Sequence, residues 1–255
     1  MNSIRLTFLW SLFIGLSVQF CQAAPEIGTT ASIKRQVVGS IDEQKRVLKK
    51  RDAIFQHEHL QVSKNGRGEF ILKDGTKLAL GPNASLHLDE FVYNPDKSDG
   101  KIVIRALKGA FRFISGLSQS ENYVIETPVA TMGVRGTIFD GYISETGEIA
   151  VLLVECEVDV CDRQSQRQCR RLRKPGDFMH VNLRGLIFGP LKWDGSFLQG
   201  IGIATAFPFI GKRLVIDPVR RLTRKSLYSK SFVKKTLSAP KKIVRKLPKP
   251  RLKFP

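Results

Sequence analysis

Short alternating segments between residues 53 and 185 constrain the fold of this 255-residue chain more than any other feature. In one of them, Leu86 and Leu88 alternate with His87 and Asp89. Period-two alternation places one set of side chains on a single face of a β-strand. Segments of about five residues recur after turn signals every eight to twelve residues, and no amphipathic helix of three turns interrupts them. The sequence therefore predicts an all-β domain over residues 53–185.

Two motif-rich stretches inside this region carry a resemblance to a known family. The first, EFILKDGTKLALGPNASLHLDEF at residues 69–91, joins an Asp-Gly turn to a Leu-Gly-Pro-Asn step. The second joins LKGAFRFISG at residues 107–116 to ETPVATMGVRGTIFDGYI at residues 126–143. The chain resembles the FecR domain family in the order and spacing of Asp74, Gly75, Leu80, Gly81, Pro82, Asn83, Leu107, Gly109, Thr127, Pro128, Ala130, Val134, Arg135, Gly136, Thr137 and Phe139.

This resemblance implies both a fold and a role. Related envelope domains are similar to a short-stranded β-solenoid or roll, in agreement with the alternating pattern. Regulators of the ferric-citrate type carry a cytoplasmic anti-sigma segment and a transmembrane helix before the domain, where this chain has a segment typical of an export signal. The resemblance therefore implies a stand-alone periplasmic binding or signalling module that contacts another envelope protein or ligand through its β domain.

The candidates for partner contact lie in the second stretch and are Thr127, Pro128, Arg135, Gly136 and Thr137. Pro128 has no N–H group and suits a strand end or edge, while glycine allows a tight corner. The planar guanidinium group of Arg135 can hold a carboxylate through two hydrogen bonds. That carboxylate can belong to a partner or to the domain itself, and the sequence leaves both interpretations open.

Residues 1–24, MNSIRLTFLWSLFIGLSVQFCQAA, have the three-part plan of a secretory signal peptide. A single charge at Arg5 precedes a mostly apolar run, and the small residues Ala23 and Ala24 close the segment. The run is shorter than the roughly 20 residues of a transmembrane helix. Bulky Phe20 disfavours a lipid anchor on the cysteine that follows it. We expect cleavage after Ala23 or Ala24 and a periplasmic location, with peripheral membrane association left open.

Export makes a disulfide between Cys161 and Cys169 the expected pairing, because these cysteines flank a polar stretch typical of a hairpin loop. Pairing Cys156 with Cys161 inside one predicted strand is awkward, since bridged Cα atoms lie within about 7 Å of each other. Cys156 is then expected to be a free, half-buried thiol. The spacing does not match the paired knuckles of a zinc site.

The positive charge of the chain is concentrated near its C-terminus. The net charge is +19, and residues 212–255 contain 16 Lys and Arg against one acidic residue. This charge, together with repeated prolines, predicts a largely disordered basic tail. Residues 25–52 are predicted to be a solvated connection. The apolar, glycine-rich residues 186–211 are expected to pack on the β domain or against a membrane surface.

The basic tail suggests an alternative function, a structural tether that holds the β domain to an anionic membrane surface or wall polymer. Nucleic acid would also attract this charge. It is not the expected partner, because export separates the chain from cellular nucleic acid.

Residues typical of catalysis do not form a recognisable motif. His57 and His59 would share one strand face, but two ligands do not make a metal site. Asp89 and Glu90 are adjacent on a strand and so point to opposite faces. The sequence contains no nucleophile elbow, phosphate loop or dinucleotide fingerprint. We therefore predict a protein that is not an enzyme and that uses no metal or other cofactor.

Overall fold

The computed structural model describes residues 24–94, 100–164, 168–193, 200–219, 221–223 and 227–228. These residues contain one short helix, α1 (Ile203–Ala206), and one 3₁₀-helix at Ser120–Asn122, and the other elements are strands. Among them, no helix has the length and apolarity needed to cross a membrane. Nearly all of the predicted signal peptide and the tail from residue 229 onward lie outside the described residues.

Fifteen strands of the described chain form one hydrogen-bonded sheet. They are β1 (Glu26–Lys34), β2 (Val37–Ile41), β3 (Gln44–Val47), β4 (Ala53–Phe55), β5 (His59–Val62), β6 (Arg67–Leu72), β7 (Lys77–Leu80), β8 (Ser85–Val92), β9 (Lys101–Ile114), β10 (Tyr123–Glu126), β11 (Ala130–Ile143), β12 (Ile149–Asp162), β13 (Cys169–Leu172), β14 (Phe178–Val181) and β15 (Ile187–Leu191).

The main path of the sheet runs β15-β14-β12-β11-β10-β9-β7-β6-β1-β4, and β8, β5, β2 and β3 extend from β9 as a branch. β12 pairs with β11 along one edge, whereas β13 and β14 pair with opposite ends of its other edge. The pairing of β9 with β10 is parallel, and the other ladders between the described strands are antiparallel. This arrangement places β13, β14 and β15 on one side of β12.

The all-β prediction is confirmed, but strand length and connectivity differ from the predicted short-stranded solenoid or roll. β9, β11 and β12 have 14 residues each, far more than the predicted five. The antiparallel ladders join neighbouring strands side by side, whereas a parallel β-helix stacks successive coils. Period-two alternation is common to both arrangements, so it cannot distinguish strand direction.

The centre of the sheet is buried on both faces. All six residues of Ile149–Val154 in β12 are buried. Its odd-numbered residues point into the main core, and its even-numbered residues belong to a second cluster with Trp193 and Phe207. A continuous apolar run is the expected sequence of a strand that is covered on both faces.

Residues 25–52 are not a solvated connection, because they form β1, β2 and β3. β1 pairs with β4 and β6, and Ile27 and Val37 are buried. The charged residues of this segment give no indication in the sequence that it forms strands. Arg46, for example, donates to both carboxylate oxygens of the fully buried Glu58, at 2.8 and 3.0 Å.

Residues 203–217, here called the C-terminal strap, cover the second face of the sheet. Residues 203–211 thus pack on the β domain, and the predicted start of the disordered tail at residue 212 lies too early. The strap contributes α1 and these buried apolar residues: Phe207, Phe209, Ile210, Leu214 and Ile216.

A buried ion network anchors the strap to β9 and β11. Arg112 donates to both carboxylate oxygens of Asp140, at 2.6 and 3.0 Å, and to Asp217 Oδ2 at 3.2 Å. The three side chains are 1–3% exposed. Asp217 is the one acidic residue of the predicted tail, and its carboxylate is paired with Arg112 inside the fold.

A second polar contact holds the backbone of the strap. Glu69 of β6 is fully buried, and its Oε2 accepts the backbone N–H groups of Val215 at 2.6 Å and Ile216 at 3.2 Å. Arg67 lies 3.3 Å from the other oxygen of Glu69. The apolar packing and these two carboxylate contacts together fix the strap on the sheet.

We predict that Asp217→Asn lowers the free energy of unfolding by about 1–3 kcal/mol, because it removes a charged acceptor from buried Arg112. Urea denaturation of the full chain measures the change. Asp42→Asn is the matched control, since Asp42 is exposed and should change stability by less than about 0.5 kcal/mol. Equal stability of the two variants would show that Asp217 contributes nothing to the network.

Candidate functional site

The corner that contains Thr127 and Pro128 is held by its own hydrogen bonds. Thr127 is buried; its Oγ1 donates to the carbonyl of Ala130 at 2.8 Å and accepts the N–H of Ala130 at 3.0 Å. Arg163 donates to the carbonyl of Thr127 at 2.9 Å. Pro128 is exposed. Of these two predicted contact residues, only Pro128 is therefore accessible to a partner.

Gly136 and Thr137 lie in a bulge between β11 and β12. Gly136 is exposed, has a φ of +60°, and has no atom within 4 Å of the place where a Cβ would stand. Buried Thr137 donates its hydroxyl to the carbonyl of Glu157. The backbone of Arg135 lies opposite Glu157, and its side chain lies outside what the structure describes. A local distortion of this kind requires the positive φ that glycine tolerates.

The predicted contact residues do not form one surface. Gly136 lies six residues beyond Ala130 along β11, which corresponds to about 20 Å at the usual rise of a strand. The structure brings Pro128 close to a different group of residues, described next.

The predicted disulfide between Cys161 and Cys169 is present, with the two Cα atoms 4.0 Å apart. It joins β12 to the first residue of β13. Cys156 has a free thiol, as predicted, but it is exposed rather than half-buried. The bulge explains the difference, because Cys156 has a φ of +59° and departs from the regular alternation of β12.

A groove of about 800 Å³ separates β13 from β15. Among the described strands, β13 pairs only with β12 and β15 only with β14, so each has an unpaired edge. Arg170 Nη1 donates to the carbonyl of Gly189 at 3.0 Å and connects the two sides. The groove is lined by Gln168, Cys169, Arg170, Leu186, Ile187, Phe188, Gly189 and Leu191.

Backbone groups of β15 face this groove. The carbonyl of Leu186 points towards the β14 side, where it accepts the N–H of Asn182 at 3.2 Å. The carbonyl of Gly189 points into the groove, towards Arg170. Because alternate residues of a regular strand direct their polar groups to opposite edges, Ile187 directs its backbone N–H and carbonyl into the groove, where the carbonyl of Gly189 also points.

The β14–β15 hairpin exposes three large apolar side chains. Leu183, Leu186 and Phe188 are 54%, 49% and 43% exposed. The ring of Phe188 is stacked on His180, with the ring centroids 5.9 Å apart. Pro128 and Leu183 both lie within 4 Å of the position of a Cβ on Gly147, so the predicted corner adjoins this hairpin. Contiguous exposed apolar groups are typical of interaction sites.

The charge beside the groove is positive. Arg171 is paired with Asp159 and Arg173 with Glu157. Arg170 and Arg184 have no carboxylate partner among the described residues, and no acidic residue lines the groove. An unneutralised guanidinium at the edge of an apolar groove favours a ligand that carries negative charge.

The histidines give no sign of a metal centre. His57 lies in the turn before β5, so it does not share a strand with His59 as predicted. His59 lies opposite His87, and burial together with the proximity of His87 lowers the pKa of His59. Within the described residues, no cluster of three or more His, Cys, Asp or Glu could hold a metal ion.

Residues 58–159 match the family model described as FecR protein. The chain contains a FecR domain. The match runs from the residue before β5 into β12 and includes all the motif residues named above, as the resemblance predicted. The strands that border the groove, β13 and β15, lie outside it.

Two crystal structures of a candidate anti-sigma factor from Parabacteroides distasonis are similar to this chain at 19% identity, with TM-scores of 0.40 and 0.41. Each alignment covers 51% of this chain and 57% of the other, so the likeness spans little more than half the length of those structures. No curated protein matches the chain.

The Asp-Gly turn of the FecR domain is the centre of a buried polar network. Gly75 has a φ of +84°, as such a turn requires. Asp74 accepts hydrogen bonds from the hydroxyls of Tyr123 and Thr76, each at 2.6 Å. Burial, followed by the hydrogen bond to Asp74, raises the pKa of Tyr123 to about 12. The family motif at this position therefore serves to fix the fold.

Sequence reasoning missed the groove. Leu183, Leu186 and Phe188 surround Gly185 in a short segment that carries no family motif, and residues 186–211 are expected from the sequence to pack on the β domain or against a membrane surface. The available signal was the combination of a glycine turn, apolar residues at 186 and 188, and the arginine-rich strand that follows Cys169.

We predict that stability falls as the pH rises from about 10, the ordinary pKa of tyrosine, to about 12, the pKa of folded Tyr123. The folded state holds the Tyr123 proton more tightly than the unfolded state, so this contribution is complete below pH 10 and is lost above it. Tyr123→Phe should lower stability at pH 7 by about 1–2 kcal/mol and make the alkaline loss smaller. Urea denaturation between pH 7 and 12 measures both effects.

Tyr93→Phe, at the end of β8, is the control for this experiment and should keep the alkaline loss. If Tyr123→Phe kept the full loss as well, Tyr123 would not be the responsible group.

Proposed function

We propose that this protein is a non-enzymatic binding or signalling module of the periplasm, which contacts another envelope protein through its β domain. The observation that carries the proposal is the apolar groove between β13 and β15, with the exposed hairpin beside it. Leu183, Leu186 and Phe188 would cost free energy in water unless a partner covers them.

Further features support this function and location. The FecR domain supplies a rigid sheet, and the groove borders on the disulfide at Cys169. Disulfides persist in oxidising compartments such as the periplasm, in agreement with the export signal predicted from residues 1–24. Pro128 adjoins the apolar hairpin and belongs to the proposed contact surface. Thr127 and Thr137 act indirectly, by holding the local backbone.

We predict that a photo-reactive benzoyl-phenylalanine in place of Phe188 cross-links to one envelope protein when the full chain is expressed in its native host. The substitution keeps an aromatic ring at the site, and Phe188 is exposed, so the fold should remain intact. Mass spectrometry of the adduct identifies the partner.

The control places the same photo-reactive residue at Val92, which is 49% exposed and lies at the end of β8. Adducts at position 188 and none at position 92 would support the proposal. Equal labelling at both positions, or none at position 188, would contradict contact through the groove.

A second candidate function, the tether to an anionic surface, is favoured by the pairing of the tail's single acidic residue inside the fold. Asp217 contacts Arg112 and Arg221, so it cannot neutralise the basic residues that follow. Each Lys or Arg near an anionic membrane surface contributes about 1 kcal/mol of attraction.

We predict that deletion of residues 229–255 releases the protein from anionic membrane fractions and leaves the fold intact. The deletion must begin after Tyr228, because residues 214–217 belong to the strap and Leu227 is buried. Sedimentation with membranes at low and high salt measures retention. If the deleted chain stayed bound at low salt, the tail would not be the tether.

A further inference from the structure

We propose that the groove between β13 and β15 binds an extended acidic segment of a protein partner, which pairs with the open edge of β15 as an added strand. This inference rests on the proposed function, in which the β domain contacts a protein. It adds the conformation and the charge of the segment that is recognised.

The open edge provides the main-chain recognition. Ile187 and Gly189 direct backbone groups into the groove, and a guanidinium group on the opposite wall already contacts the carbonyl of Gly189. A strand that lies beside β15 would supply hydrogen-bonding groups at the normal interstrand spacing of about 4.8 Å. Peptide binding by strand addition uses unpaired edges of this kind.

The side chains of β15 favour alternating apolar residues in the ligand. Leu186 and Phe188 are two residues apart, so they project to the same face of the strand. In an antiparallel pair, residues opposite each other share a face and make contact. Apolar residues at every second position of the bound segment would therefore cover Leu186 and Phe188.

The charges around the groove favour acidic residues at the remaining positions. Arg170 lines the groove and has no carboxylate partner among the described residues. Arg184 lies in the turn that precedes β15, and its guanidinium likewise has no described acidic partner. The neighbouring acid, Asp162, lies against Gly185 and does not line the groove. Guanidinium–carboxylate contacts would set both orientation and charge preference.

A protein strand fits this site better than an anionic lipid surface does. Lipid head groups could neutralise Arg170 and acyl chains could cover Phe188, but a bilayer cannot reproduce a row of main-chain donors and acceptors. The unpaired edges of β13 and β15 border a concave groove, which an extended chain can enter.

Fluorescence anisotropy with the full chain tests the proposal. The probe is a fluorescein-labelled, capped peptide of sequence Glu-Val-Asp-Val-Glu-Val, about the length of β15. Three comparison ligands are the same peptide with Lys at the acidic positions, the acidic peptide with N-methylated backbone amides, and phosphatidylglycerol vesicles. We expect the Lys peptide and the N-methylated peptide to bind at least tenfold more weakly, because each lacks one of the two recognition elements.

Variants of the chain identify the site. We expect Arg170→Gln to weaken binding of the acidic peptide about threefold, and Arg170→Gln with Arg184→Gln about tenfold. Phe188→Ala should weaken it about tenfold. Arg213→Gln is the matched control, because Arg213 is exposed on the strap and should leave affinity unchanged. Equal melting temperatures establish that each variant is folded.

Hydrogen exchange distinguishes strand addition from simple charge attraction. The amide of Ile187 should exchange more slowly when the acidic peptide is bound. Equal affinity for the acidic and Lys peptides, undiminished binding of the N-methylated peptide, or binding to the vesicles alone would each overturn the proposal. If the photo-reactive residue at position 188 captured a protein partner while the acidic peptide failed to bind, the proposed function would stand and this inference would be wrong.

Discussion

The buried positive charge of Arg112 is the constraint on which the sheet and the strap both depend. Arg112 lies near the C-terminal end of β9, where water cannot solvate its guanidinium, and it contacts Asp140 on β11 and Asp217 on the strap. The ring of Phe209 lies 5.8 Å from it. A buried charge that loses a partner is destabilising, because neither water nor another group replaces the lost contact. Asp217 lies beyond the FecR match at residues 58–159, so the matched region depends on residues outside itself for its charge balance.

Both faces of the sheet are covered, which leaves its edges accessible to a partner. The main core occupies one face of β12, and Trp193 with the strap occupies the other. Faces that are already packed cannot accept a partner without displacing part of the chain. The unpaired edges of β13 and β15 need no such displacement, because their groove is already open. The proposed binding function therefore depends on elements that the family motif does not include.

The sequence predicted the parts of the fold that local chemistry determines. Alternation around Leu86 and Leu88, the Asp74-Gly75 turn and the Cys161–Cys169 bridge all depend on near neighbours, and the structure contains each of them. β1–β3 escaped prediction because their charges are neutralised at a distance, as Arg46 is by Glu58.

Long-range contacts also explain the errors in the strap and the groove. Asp217 occurs among basic residues, and its neighbours in the sequence do not indicate its contact with Arg112, which lies 105 residues earlier. The groove arises because β13 and β14 occupy opposite ends of one edge of β12. No local pattern encodes that arrangement. The exposure of Phe188 follows from that arrangement.

The position of Asp217 also determines when this protein can finish folding. A chain emerges from the ribosome, or from a translocation channel, with its N-terminus first, so Arg112 and Asp140 become available well before Asp217 does. Until the strap emerges, the sheet has an uncovered apolar face and a guanidinium with one carboxylate partner instead of two. The strap thus completes a sheet whose other strands have already appeared. Such a chain would remain susceptible to chaperones and proteases until residue 217 had appeared.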